Sequence, residues 1–191
     1  MKTVFLVLFC TLWCSRATAQ GTDYQFRPLV HKQFTSEGGN GLGFWGIVPD
    51  ATQNKPSKIL LVGGLLFKES ENWLELMAGS FVKTDGALEP AVNVRASLRA
   101  SRFLVYAEAM YNLPKKRLIV PLAVTRRVSL GSVNLGLGLE SETTIGNGGD
   151  SWGLGPRIVV PIPFLKKASL ATVYQWQSRQ PFVRQYLLVS F

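Results

Sequence analysis

The sequence predicts an all-β protein, a transmembrane antiparallel up-and-down β-barrel of ten strands, with eight strands as the alternative. Two observations support this fold class. From Ser57 onward the chain falls into segments of about ten residues that alternate apolar and polar side chains and are separated by short turns. The longest uncharged stretches, such as Val128 to Leu139, are shorter than the roughly 18 to 20 residues of a membrane-spanning helix. A crossing of the membrane is therefore expected to use strands.

The first nineteen residues have the order of a secretory signal peptide. Lys2 is followed by an apolar run from Val4 to Trp13, and small residues at Ala17 to Ala19 resemble a cleavage site. Both cysteines lie inside this segment, so the exported chain would contain neither a disulfide nor a thiol. The bulky residue before each cysteine argues against a lipid anchor. The predicted organisation is a signal peptide at 1–19, a lead-in or plug at 20–40 and a barrel at 41–191.

Ten segments are predicted as strands, and residues 20–40 are open to a short strand, a plug or a lead-in. The segments are 41–48, 58–68, 72–83, 87–99, 102–113, 118–128, 133–143, 152–164, 169–178 and 181–191. The alternation is clearest over 87–113. A helical period would put the charged Arg102 on the apolar face beside Val94 and Leu98, so strands fit this segment better than a helix. The prolines in 152–164 require bulges or interrupted pairing, because proline donates no backbone hydrogen bond.

The final strand, PFVRQYLLVSF, ends the chain on an aromatic residue. Val183, Leu187, Val189 and Phe191 share one face, with Gln185 as the polar gap. A closing strand that ends in phenylalanine resembles the C-terminal signature of Gram-negative outer-membrane β-barrels. The resemblance implies an outer-membrane location, reached after cleavage of the signal peptide, and makes Phe191 the signal that the outer-membrane assembly machinery recognises.

The same resemblance sets the expected topology. If Phe191 lies on the periplasmic side and both termini share that side, the number of strands must be even. Residues 41–48 then supply the tenth strand, and the connections near 49–57, 84–86, 114–117, 144–151 and 179–180 are external. In an eight-stranded barrel, one or two of the ten segments would not be strands.

Alternation also predicts a charged lumen. The candidate network consists of Glu75, Arg95, Glu108, Glu140, Arg157 and Arg184. Charges in a barrel interior must pair or stay hydrated, so these groups either fill the lumen as salt bridges or line a narrow, anion-tolerant conduit. A turn at residues 100–101 would place Arg95 opposite Tyr106 and diagonal to Glu108, which predicts an inward ion pair between Arg95 and Glu108.

Catalytic, cofactor and metal candidates are few. His31 is the single histidine, and a metal site needs three or four ligands, so neither a metal nor a cofactor is predicted. The Gly-Asp-Ser sequence that ends at Ser151 is similar to the start of a serine-hydrolase motif, but it is also ordinary turn chemistry. The glycine pattern at 41–46 matches a nucleotide fingerprint without the βαβ context that such a site requires.

The function expected from the sequence is that of a structural or docking barrel of the outer membrane, or of a narrow pore. A secreted lipocalin-like barrel that binds a small apolar ligand is one alternative, and an outer-membrane hydrolase that modifies lipid is another. Without Lys2 and Arg16 of the signal peptide, the formal charge of the exported chain is +9 − 2 = +7, which favours anionic partners. Expected partners are membrane lipid, lipopolysaccharide, the assembly machinery and a protein of the envelope, whereas nucleic acid is not expected.

Overall fold

The computed structural model describes residues 23–52, 58–131, 133–162, 165, 167–177 and 181–191. Within these ranges eleven strands close into one barrel. The strands are β1 (Asp23–Thr35), β2 (Asn40–Ile47), β3 (Ile59–Glu69), β4 (Asn72–Val82), β5 (Leu88–Ala100), β6 (Phe103–Asn112), β7 (Arg117–Leu130), β8 (Val133–Gly146), β9 (Ser151–Pro161), β10 (Ala168–Gln177) and β11 (Phe182–Ser190). The predicted signal peptide, 1–19, lies outside the described residues.

The predicted number of strands, ten or eight, was wrong. Each of the ten predicted segments contains a strand, and the eleventh is β1, which lies in the segment predicted as a lead-in or plug. β1 pairs antiparallel with β2 and parallel with β11, where Asp23 lies opposite Phe182. The barrel therefore includes residues before 41. The physical reason is closure, because β1 satisfies the backbone groups that β2 and β11 would otherwise expose at their edges.

Because β1 and β11 are parallel, the described chain of the barrel starts at one end of the barrel and finishes at the other. The two ends are named here by their connections. The long-loop end carries the connections 48–58, 83–87, 113–116, 147–150 and 178–181. The short-turn end carries the connections 36–39, 70–71, 101–102, 131–132 and 162–167. Asp23 lies at the long-loop end, whereas Phe191 lies at the short-turn end and donates its backbone N–H to the carbonyl of His31 at 3.1 Å. The expectation that both ends of the barrel chain share one side was wrong.

Pro156 interrupts pairing in β9, as the sequence predicts, whereas Pro161 stays paired with Ser169 and Pro163 lies outside the described residues. The β9–β10 ladder skips the register positions of Gly155 and Pro156, and resumes at Leu154 opposite Trp176. The β6–β7 ladder skips Val120 and Pro121 in the same way. The strands continue through both gaps, because each proline keeps its pairing with β8 on the other side.

The two faces of the wall differ sharply in chemistry. Along β5, buried and exposed residues alternate, with Glu89, Asn93 and Arg95 buried and Val92 and Val94 exposed. The exposed outer positions on the other strands are also large and apolar, and include Leu42, Phe44, Leu61, Leu65, Leu74, Leu76, Leu122, Val124, Leu137, Leu139 and Leu154. In the described residues, no helical segment has the length and hydrophobicity needed to cross a bilayer.

Gln185 is the polar residue on the outward face of β11, and its amide has partners on both neighbouring strands. It accepts a hydrogen bond from the Tyr24 hydroxyl at 2.7 Å and donates to Thr172 Oγ1 at 3.4 Å. The side chain is only 4% exposed. The polar gap in the final strand is thus satisfied within the wall.

Candidate functional site

The candidate site is the charged part of the barrel interior, which lies beside an apolar core that includes Leu29, Trp45, Leu60, Val62, Met77 and Phe81. Arg95, Arg184, Gln175, Glu75 and Asn93 are among the largest side chains that are less than 2% exposed. All six residues of the predicted lumen network point inward and form ion pairs with inward partners. They are divided between two clusters, one on β4–β6 and one on β8, β9 and β11.

The first group, the Glu75 cluster, consists of Glu75, Arg95, Glu108, His31 and Gln33. Glu75 Oε2 accepts a hydrogen bond from Arg95 Nη1 at 3.0 Å, and its Oε1 lies 2.7 Å from His31 Nε2. Gln33 Nε2 donates to the same Oε1 at 2.9 Å. The carboxylate is fully buried, so three polar partners compensate for the loss of its hydration.

Arg95 is enclosed by aromatic rings as well as by carboxylates. Its guanidinium carbon lies 3.7 Å from the ring centroid of Trp45, 5.4 Å from that of Trp73 and 5.6 Å from that of Tyr106. Arg95 Nε also donates to the Tyr106 hydroxyl at 3.1 Å. Cation–π contacts of this kind are worth the most where water is absent, so the rings hold the arginine in the centre of the lumen.

The ion pair between Arg95 and Glu108 differs from the predicted one in two respects. The turn lies at Ser101 and Arg102, so Arg95 is directly opposite Glu108 and not diagonal to it. The Nε–Oε2 distance is 4.0 Å, longer than the contact with Glu75. Glu108 instead accepts hydrogen bonds from Tyr106 and Asn93. Glu75 is therefore the main acidic partner of Arg95.

The second group, the Arg184 cluster, consists of Arg184, Glu142, Glu140, Arg157 and Arg27. Arg184 binds Glu142 with both terminal nitrogens, at 2.8 and 3.0 Å, and lies 3.6 Å from Glu140. Arg27 Nη1 donates to Glu142 at 3.0 Å, and Arg157 pairs with Glu140. Each carboxylate is thus shared by two guanidinium groups, a geometry that Arg provides and Lys does not.

Small inward residues make room for these large side chains. A Cβ at Gly43 would lie 2.5 Å from Glu75 Oε1 and 2.7 Å from Met77 Cε. A Cβ at Gly153 would lie 3.1 Å from Gln175 Oε1. Glycine at these positions is therefore explained by the interior that it faces. Within the glycine pattern at 41–46, Gly43 has this structural role.

The two clusters together are balanced in charge. The four carboxylates are Glu75, Glu108, Glu140 and Glu142, and the four guanidinium groups are Arg27, Arg95, Arg157 and Arg184. With His31 neutral, the sum is zero. A balanced set whose members are bonded to one another favours a sealed interior over a selective conduit.

Comparison with known proteins adds no family to this description. No family model, curated protein or solved structure matches the chain. Function is therefore inferred from the geometry of the site.

The long-loop end carries a separate set of charges around Glu89. Its carboxylate lies 2.9 Å from Lys58 Nζ, 2.8 Å from Lys83 Nζ and 3.7 Å from Lys115 Nζ. Asn112 donates to it at 3.1 Å. Three lysines thus surround this one glutamate at the long-loop end of the barrel.

Sequence reasoning missed four members of the clusters. Arg27, His31 and Gln33 lie on β1, which was not taken as a barrel strand. Glu142 lies on β8 with the same inward alternation as Glu140, so alternation alone would have included it. Continuing the period of two over β1 and to the end of β8 was the signal that would have found all four.

The catalytic candidates lie far apart. Ser151 begins β9 at the long-loop end, and the neighbouring Asp150 accepts a hydrogen bond from the backbone N–H of Gly146. His31 lies inside the barrel and is bonded to Glu75. Among the described residues, no group of three or more His, Cys, Asp or Glu side chains is arranged to hold a metal ion.

Proposed function

We propose that this chain is an integral outer-membrane β-barrel that acts as a structural or docking barrel with a closed interior. The observation that carries the proposal is the inverted distribution of side chains. Arg95 and Arg184 are 2% and 1% exposed inside the barrel, whereas Leu61, Leu98 and Leu139 are each 55% exposed outside it. An apolar outer wall of this extent is costly in water and stable in hydrocarbon.

Aromatic residues at both ends of the wall support a membrane location. Phe34 and Phe103 are exposed at the short-turn end, and Tyr111, Trp152 and Trp176 at the long-loop end. Tyrosine and tryptophan concentrate where hydrocarbon meets headgroups. Phe103 and Tyr111, eight residues apart on β6, are separated by about 27 Å along the strand, which a strand tilt of about 40° reduces to about 20 Å of height, within the apolar band of about 25 Å in known barrels.

A closed interior favours a scaffold over a narrow pore. Conduction requires a continuous path of water, whereas Glu75 and Gln175 are fully buried, and Arg95 and Arg184 nearly so, in the middle of the lumen. The proposed activity is therefore occupation of the membrane and docking of an envelope protein, and not substrate turnover. In support, the strand-end position of Ser151 and the interior position of His31 keep the hydroxyl and the imidazole apart.

A secreted lipocalin-like barrel fits the side-chain distribution less well. Such a barrel would place apolar side chains inside and polar ones outside, the reverse of β5.

The proposed partners are membrane lipid, lipopolysaccharide at the lysines around Glu89, and the assembly machinery. This machinery would read the strand that ends at Phe191. The ring of Phe191 is 57% exposed and thus accessible to another molecule.

Planar-bilayer recording tests the closed interior. The unaltered barrel is expected to show no steady conductance, whereas Arg184→Ala is expected to produce one. That substitution removes a large side chain from the lumen, while Arg27–Glu142 and Arg157–Glu140 remain as pairs that preserve the fold. The matched control is Arg99→Ala, at the rim of the barrel, which should stay silent.

Two results would count against the proposal. Steady, anion-preferring conductance of the unaltered protein would replace the scaffold with a pore. Recovery of the protein in the soluble fraction after sodium-carbonate extraction of membranes would remove the membrane location itself.

A further inference from the structure

A cavity lies at the short-turn end of the barrel, and most of the residues that line it belong to neither interior cluster. It has a volume of about 950 Å³ and is lined by residues of β5 to β11 and the turn at residues 101–102. This volume is in the range of pockets that hold drug-sized molecules. Five arginines line it, and no aspartate or glutamate does: Arg99, Arg102, Arg126, Arg127 and Arg157. We call it the arginine vestibule.

Three of these arginines have no acidic partner. Arg99 pairs with Glu71, and Arg157 pairs with Glu140. Arg102, Arg126 and Arg127 form no ion pair with any residue in the described part of the chain. Arg102 and Arg127 lie close together, because the backbone N–H of Arg127 reaches the carbonyl of Arg102 at 3.4 Å. Arg126 is registered with Phe103 and shares its outward face. The three side chains are exposed, so their charges are open to an anion from outside.

A second, independent observation lies in the wall of the vestibule. Arg157 Nε is buried and has no hydrogen-bond partner, although the residue lines the cavity. A buried donor without a partner costs about 1–3 kcal/mol in general, so such groups call for an acceptor. Hydroxyl groups of Ser101, Thr125 and Ser169 line the same space and add donors for an oxyanion.

The opposite wall of the vestibule combines apolar and polar side chains. Leu135, Val159, Pro161 and Leu188 line it from β8, β9 and β11, together with Asn134, Arg157 and Ser169. A fully hydrated ion such as inorganic phosphate makes no use of the apolar part of this wall. A molecule with a dianionic head and an apolar body would satisfy both walls.

We propose that the arginine vestibule binds a small organic phosphate monoester, with the phosphate on the β5–β7 arginines and the apolar group against β8, β9 and β11. Guanidinium groups bind phosphate oxygens in pairs, which suits two or more adjacent arginines. The site goes beyond the proposed scaffold function and does not depend on it, because the cavity is a property of the fold in a membrane or in water.

Isothermal titration calorimetry of the barrel in lipid nanodiscs tests the site, with empty nanodiscs subtracted. The probes are 1-naphthyl phosphate, 1-naphthol and inorganic phosphate. We expect 1-naphthyl phosphate to bind once per barrel and at least tenfold more tightly than either of the other two. The double variant Arg102→Gln/Arg127→Gln should weaken that binding at least tenfold.

The matched control removes the same charge from the other end of the barrel. Lys83→Gln/Lys116→Gln should leave the affinity for 1-naphthyl phosphate within twofold of the unaltered value, because both lysines lie at the long-loop end. Equal weakening by the two double variants would reduce the effect to net charge and overturn the site. Equal affinity for inorganic phosphate, or no saturable binding by about 1 mM, would overturn the proposed ligand class.

Discussion

Arg95→Met is expected to lower the free energy of unfolding of the barrel by about 3–5 kcal/mol, the usual cost of removing one partner from a buried ion pair. The loss leaves two interior carboxylates, Glu75 and Glu108, without the guanidinium that they share. It also removes the cation from between the rings of Trp45 and Tyr106. Urea unfolding in lipid vesicles, followed by tryptophan fluorescence, measures the change.

The control for Arg95→Met is Arg99→Met, four residues further along the same strand. Arg99 and its partner Glu71 have side chains that are 34% and 59% exposed, so this loss should cost less than about 1 kcal/mol. The double variant Glu75→Gln/Arg95→Met should recover part of the stability by removing the stranded charge. Equal effects of Arg95→Met and Arg99→Met would show that water reaches the interior.

Leu139→Arg is expected to lower the unfolding free energy by about 2–4 kcal/mol in lipid vesicles, because the side chain would enter the middle of the bilayer. Leu139 lies near the centre of β8 and faces outward, 55% exposed. Leu130→Arg is the matched control, since Leu130 is 60% exposed but ends β7, at the level of the proposed membrane surface, where the cost falls to about 0–1 kcal/mol. The same urea titration compares the two variants.

In a soluble barrel the two arginine substitutions would behave alike. Both positions would face water, and the exposed charge would cost little at either one. If Leu139→Arg leaves the free energy of unfolding unchanged, the outer wall of the barrel does not lie in hydrocarbon.

Period-two alternation was sufficient to predict ten of the strands and the inward direction of the charged residues. It was sufficient because, along such strands, one face is apolar and the other polar, which determines which side chains point into the barrel. The β5–β6 turn shows the limit. Its sequence has no Gly or Asn to mark the turn, and Ser101 adopts a positive φ of 55°. The turn therefore lies one residue later than predicted.

The shift of the β5–β6 turn did not reverse the faces. Moving the turn by one residue changes each cross-strand partner by two positions, so Arg95 and Glu108 remained inward while their relation changed from diagonal to opposite. Facing depends on alternation within each strand, whereas partner identity depends on the turn. The facing of a side chain can be predicted from the sequence of one strand, whereas the identity of its cross-strand partner cannot.

β1 was missed for a different reason. Its sequence does alternate, with Phe26, Val30 and Phe34 on one parity and Arg27 and His31 on the other. The expectation of an even number of strands left no place for it. The parallel pairing of β1 with β11 depends on closure of the whole barrel and is not specified by the local sequence. The interior residues of β1 were therefore not predicted.

Spin-label accessibility in lipid vesicles tests most directly whether the apolar outer wall lies in a membrane. Both cysteines of the chain lie in 1–19, so Val94→Cys or Thr84→Cys would each give the cleaved protein a single labelling site. Val94 faces outward in the middle of β5, and Thr84 lies in the connection 83–87. We expect the label at Val94 to collide with oxygen and to be shielded from a polar nickel reagent, with the reverse at Thr84. Equal exposure of both labels to the nickel reagent would contradict the account.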